Sequence, residues 1–201
     1  MTDSSEIQVK NLPIMIDCLK VPGVSGMIGL SSCPGIRDDY VFDLYCESLV
    51  DDVQSIKGWG ASVVITLMDS NELKNHGVAD LGRNVIGLNM VWLHLPIMNA
   101  SLPDQEFDEK WETLSPCLCK IMKGGNRILI HCREGIGRSA LVAAKLLVDL
   151  GLTADETVKL LRKTRPGSLL LYSHEQYVYS YAEKLPPFPD FRGDKAFTVM
   201  Q

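Results

Sequence analysis

The stretch HCREGIGRSA, residues 131–140, places a cysteine, two glycines, an arginine and a serine between two apolar runs, ILI at 128–130 and LVAAKLL at 141–147. Gly135 and Gly137 permit backbone conformations closed to other residues. The amides of Arg133, Glu134, Gly135, Ile136, Gly137 and Arg138 can then turn inward and form an anion nest. A helix beginning near Arg138 adds its positive end to the same spot. The Arg138 guanidinium is a bidentate fork that suits a phosphate better than a lysine would. These features favour the thiolate form of Cys132, and Ser139 can hydrogen-bond that thiolate or the departing thiol. A thiolate facing a bound tetrahedral oxyanion implies phosphoryl transfer through a phosphocysteine. The plainer reading, a buried cysteine beside a helix start, does not account for strand, glycines, arginine, serine and helix falling in this order.

The elements that must position this loop can be read from periodicity. MIGLSS (27–32), SVVITL (62–67), VWLHLPI (91–97) and RILIHC (127–132) read as strands. Apolar residues at helical spacing mark helices over 41–57, 104–123 and 138–150. Ser70 is the candidate N-cap of a short helix over 70–77, and Thr153 with Glu156 forms a capping box for a helix to Thr164. A last helix is predicted over 174–185. Strands alternating with helices predict an α/β fold with a central, mainly parallel sheet flanked by helices. Ligands of such sheets sit beyond the carboxyl ends of the strands, which is where HCREGIGRS leaves RILIH.

Composition narrows the function classes. The chain has 201 residues, 46% hydrophobic and 22% charged, enough for a folded core. A net charge of −5 argues against nucleic acid or an anionic membrane as partner. No apolar run reaches the roughly 18 residues that span a bilayer. No basic segment followed by an apolar one opens the chain, so a cytoplasmic location and a monomer are the expectations. The six cysteines are read as reduced thiols. Cys117, Cys119, His131 and Cys132 could be taken for a metal cluster, but C-x-C matches no common zinc knuckle; no metal and no cofactor is expected.

HCREGIGRS resembles the H-C-x5-R-S/T signature of cysteine-dependent protein tyrosine and dual-specificity phosphatases. GMIGLSSCPG (26–35), WGASVVITLMDSNEL (59–73), WLHLPI (92–97), LPD (102–104) and LRKTRPGSL (161–169) extend the likeness to the kinase-associated phosphatase (cyclin-dependent kinase inhibitor 3-like) group and its bacterial relatives. The resemblance implies a loose lead at 1–15, a phosphatase domain at 16–185 and a tail at 186–201. It implies Cys132 as nucleophile, Arg138 as phosphate and transition-state binder, Ser139 as thiolate partner and His131 as the residue ordering the loop. Residues 133–138 become the phosphate cradle, and a phosphorylated protein becomes the substrate.

The likeness is broken at three places. The related pattern P-I-x-D-x-x-x-P carries the general acid, and this chain has Asn99 there. An amide donates a hydrogen bond but delivers no proton at neutral pH. The nearest carboxylate, Asp104, is either a substitute acid or only the N-cap of the next helix. The related motif R-P-G-A-I-E-T-x-x-Q-E places His174 where the water-positioning glutamine belongs. His174 could orient water, act on it as a base, or cap the last helix. Glu134, a carboxylate beside the cradle, disfavours a polyanionic inositol lipid, so a phosphoprotein is preferred. Two functions follow: a phosphatase acting on phosphotyrosine and phosphoserine or phosphothreonine, slowed by the missing acid, or a pseudophosphatase that binds phosphoproteins with little turnover. Cys33 is a candidate partner of Cys132 in a regulatory disulfide.

Overall fold

The computed structural model describes residues 13–36 and 49–185. Its centre is a five-stranded sheet in the order β1-β2-β5-β3-β4, from strands β1 (Asp17–Lys20), β2 (Met27–Ser31), β3 (Ala61–Thr66), β4 (Val91–His94) and β5 (Arg127–His131). β2, β5, β3 and β4 are parallel, and β1 joins as an antiparallel edge. β3 and β5 are near-continuous apolar runs because both of their faces are covered. The mainly parallel sheet matches the sequence expectation; β1 does not appear in that reading. DCLK is short and bracketed by charge, and it becomes a strand by pairing with β2.

Helices cover both faces. On one lie α1 (Leu49–Gly58), α2 (Ser70–Asn75) and α3 (Leu81–Gly87); on the other lie α4 (Gln105–Lys123), α5 (Arg138–Asp149), α6 (Ala154–Thr164) and α7 (Tyr172–Lys184). α5 buries all but its last residue, which explains its unbroken apolar sequence. α3 is a second element missed by periodicity. LGRNVIG has glycines at two positions and weak helix propensity. Gly82 lets it pack, since a Cβ there would strike the Trp92 ring.

Several boundaries depart from expectation. Asp69, not Ser70, caps α2: its carboxylate accepts from the Asn71 and Glu72 amides, and Glu72 completes a capping box. Strand 91–97 ends at His94 because Pro96 has no N–H for the ladder, although the Leu95 and Ile97 amides still bond the Thr66 and Leu67 carbonyls. The predicted helix over 41–57 is described only from Leu49; residues 41–48, most of the lead and the whole tail from 186 lie outside the described residues. α7 begins at Tyr172 with Leu171 as its N-cap, so His174 is not a helix cap. Among the described residues, no helix is long and apolar enough to cross a membrane.

Candidate active site

The loop from Cys132 to Gly137 joins the carboxyl end of β5 to the start of α5. Gly135 turns it with φ of +78°, and a Cβ there would collide with the Ser31 carbonyl of β2. Only glycine fits both the angle and the space. Three loop carbonyls are bonded from outside: Arg133 O accepts from the Cys33 amide at 3.0 Å, Ile136 O from the Leu169 amide at 3.4 Å, and Glu134 O from Arg165 Nη2 at 2.8 Å. In a trans peptide the next N–H points opposite to its carbonyl. The amides of Glu134, Gly135 and Gly137 are thereby turned inward, and the Gly135 N–H donates to Cys132 Sγ at 3.2 Å. Gly137 caps α5 without any side-chain bond, which leaves first-turn amides as donors.

Cys132 is buried at the floor of this cradle, with Ser139 Oγ 3.4 Å from its sulfur. Arg138 is 5% exposed and already positioned. Its two terminal nitrogens donate to the two Glu72 carboxylate oxygens at 2.6 and 2.9 Å, and Nη1 also donates to the Ile97 carbonyl at 3.0 Å. Burial opposes the guanidinium charge, but the Glu72 hydrogen bond and the neighbouring Cys132 outweigh it, so the arginine stays charged.

His131 lies fully buried behind the loop, and burial pushes it down to about 4 from the usual 6.5. It is therefore neutral at physiological pH. Nδ1 lies 3.4 Å from the Cys132 carbonyl, which can only accept, so the single ring proton belongs there. Nε2 then accepts from Thr66 Oγ1 at 2.8 Å, and Thr66 Oγ1 accepts from the Trp92 indole N–H at 2.8 Å. The chain Trp92 to Thr66 to His131 to Cys132 runs in one direction with no donor facing a donor.

The cradle opens into a cavity of about 290 Å³. Asn99, Ala100 and Ser101 line one side of it, and Leu170, Leu171 and His174 also line it. Asn99 thus lies at the site, on a loop tightened by Ala100 at φ of +57°. Asp104 lies away from the lining, where its carboxylate accepts from the Phe107 amide at 2.8 Å and caps α4. Glu134 lines the cavity but is exposed. Cys33 is buried, and burial is the largest of the effects that push its thiol up to about 12.

Glu72, Arg165, Thr66 and Trp92 were not legible as site residues. Their contacts with the loop or with one another cross tens of residues of sequence, 66 in the case of Glu72 and Arg138. Only the D-x-x-E capping box around Glu72 is a local signal, and it speaks of a helix start.

The sequence pattern that defines the Cyclin-dependent kinase inhibitor 3 (CDKN3) family matches residues 1–158. Cyclin-dependent kinase inhibitor 3 of Homo sapiens is 28% identical over 204 residues, covering 98% of this chain and 92% of its own. Tyrosine-protein phosphatase CDC14 of Candida albicans is 32% identical over 89 residues, 44% of this chain and 15% of its own. A crystal structure of kinase associated phosphatase, with serine at its catalytic-site cysteine, shares the fold. It gives a TM-score of 0.74 over 87% of this chain and 97% of that one, at 24% identity. The active form of Tk-PTP shares the fold as well, with a TM-score of 0.61 over 82% of this chain and 99% of that one, at 20% identity. With that pattern matched over most of its length, the chain belongs to the Cyclin-dependent kinase inhibitor 3 family of cysteine-dependent protein phosphatases.

Proposed function

We propose that this protein hydrolyses phosphotyrosine, and phosphoserine or phosphothreonine, in protein substrates through a phosphocysteine on Cys132. The observation that carries the reading is the set of bonded loop carbonyls, which turns the following amides inward and brings the Gly135 N–H onto the Cys132 sulfur. Phosphate sits against these amides and the Arg138 fork. The Cys132 thiolate attacks phosphorus, the bond to the leaving oxygen breaks, and Ser139 hydrogen-bonds the sulfur when it departs. His131 holds the Cys132 carbonyl and with it the start of the loop. Asn99 offers a hydrogen bond to the leaving oxygen and no proton, so substrates with good leaving groups react fastest. Removing a general acid costs on the order of 10² to 10⁴ in rate.

Reduced protein is expected to turn over p-nitrophenyl phosphate, and Cys132→Ser to abolish it. Absence of turnover in the folded, reduced protein rejects the reading. Asn99 at the cavity favours a second reading, a phosphoprotein-binding module. A phosphotyrosine peptide separates the two: binding that is lost in Arg138→Ala, with no free phosphate released by the wild type, selects the module.

A further inference from the structure

In-line displacement puts two events at one place, opposite the Cys132 sulfur. The leaving oxygen departs there, and the hydrolytic water later attacks from there. A group that handles protons in either step must face that side of the cavity. The lining side chains beyond the cradle are few. Asn99 and Ser101 line it but exchange no proton near neutral pH. Asp104 is held at the start of α4. His174 remains.

His174 lies in the first turn of α7, where its amide donates to the Leu171 carbonyl at 3.0 Å. Its side chain lines the cavity, and a Cβ on Gly137 of the cradle would lie 3.7 Å from its Cε1. The residue is only 7% exposed, and its Nδ1 is buried without a hydrogen-bond partner. An unpaired buried polar atom costs about 1–3 kcal/mol, and in a cavity wall a catalytic use is one explanation for it. Burial also holds the imidazole below its ordinary 6.5, so a lone pair is available at neutral pH.

We propose that His174 is the base of the second half-reaction, taking the proton of the water that hydrolyses the phosphocysteine. The water oxygen bonds phosphorus and the phosphorus–sulfur bond breaks. Its electron pair returns to Cys132 as thiolate, and the proton passes to the imidazole, which releases it to solvent. The proposal rests on the phosphatase reading. The charged groups around the imidazole are Cys132, Arg133, Glu134 and Arg138 in the cavity, and, on its own side, Glu175 ion-paired to Arg162 at 2.6 Å. The negative phosphocysteine draws a proton toward the ring, and the two loop arginines oppose this.

The test is rapid mixing with p-nitrophenyl phosphate across pH 5 to 8, comparing wild type with His174→Gln. Glutamine can orient water but cannot carry its proton. The variant is expected to give a stoichiometric burst of p-nitrophenol and then turn over on the order of 10²-fold more slowly. Phosphocysteine accumulates in acid-quenched samples, and the acidic limb of the steady rate disappears. Added imidazole is expected to restore His174→Ala in proportion to its concentration, a response that a merely structural role would not show. This second variant decides the matter if the glutamine variant does not fold. Steady turnover of His174→Gln with its acidic limb intact overturns the proposal, as does a limb that moves with Glu134→Gln instead. Folded, reduced wild-type protein that releases no p-nitrophenol at all is a different result: it removes the phosphatase reading itself.

Discussion

The Glu72 carboxylate spans both terminal nitrogens of Arg138, and the Ile97 carbonyl takes a third bond. A long flexible side chain loses up to about 2 kcal/mol of rotamer freedom when it is ordered. Under the proposed function that cost falls on folding, before any phosphate arrives, which is the advantage of a prepositioned donor. Glu72 is itself held, since its Oε2 accepts from the Asp69 amide at 3.1 Å within the α2 capping box. Glu72→Gln keeps the shape and removes the charge that anchors the guanidinium. We expect kcat/KM for p-nitrophenyl phosphate to fall by roughly 10- to 100-fold, about 1.4 to 2.7 kcal/mol of transition-state stabilisation. A rise in kcat/KM would instead show that Glu72 competes with phosphate for the arginine.

The start of α4 and the loop before it divide two tasks. Asn99 faces the cavity, while Asp104 accepts from the Phe107 amide and satisfies one of the open donors of the helix. Asparagine caps helices about as well as aspartate, and alanine does not. Asp104→Asn should therefore leave both the pH profile and the folding stability near wild type. Asp104→Ala should lower stability by about 1 kcal/mol in urea unfolding. A flattened basic limb in Asp104→Asn would mean that the carboxylate leaves its cap to act as the acid. The segment before α7 has a comparable double use. Leu169 and Arg165 bond the loop carbonyls, while Leu170, Leu171 and His174 line the cavity.

Across the whole molecule, α4, α5 and α7 meet at Lys145, which is 2% exposed. Its ammonium bonds Asp108 at 2.5 Å and Tyr177 at 3.0 Å, and lies 4.1 Å from the centre of the Tyr181 ring. Burial lowers the lysine from its usual value, and Asp108 works against that fall. The pair is unequal, because Asp108 reaches solvent and Lys145 does not. Removing the carboxylate strands a buried cation, whereas removing the cation leaves a carboxylate that water can reach. Asp108→Ala should cost about 3–5 kcal/mol, and Lys145→Met clearly less, both read from urea unfolding. A depressed lysine binds fewer protons folded than unfolded, so the deficit in Asp108→Ala should shrink as pH rises toward 10.5. Equal losses in the two variants, without pH dependence, would contradict this account. Since α4 follows the Asn99 loop, α5 follows the cradle and α7 carries His174, this cluster joins the three helices that bring the cavity together.

What the sequence by itself determined is the local chemistry. Cysteine, glycines, arginine and serine at 132–139, between an apolar strand and an apolar helix, mark the candidate site because strand, turn and helix are short-range patterns. The absence of an acid at Asn99 was equally legible, since it depends on one residue in one pattern. The missed elements, β1 and α3, are those whose own propensities are weak and whose formation depends on pairing with β2 and packing on Trp92. Tertiary structure alone decided which distant groups serve the loop: Glu72 on the arginine, Arg165 on the cradle, Thr66 and Trp92 behind His131. It also placed His174 in the cavity wall and Leu171, not His174, at the start of the last helix. The physical reason is common to all of these. Hydrogen bonds and burial depend on distance in space, and periodicity along the chain carries no record of which residues the sheet order and helix packing bring within three ångströms of each other.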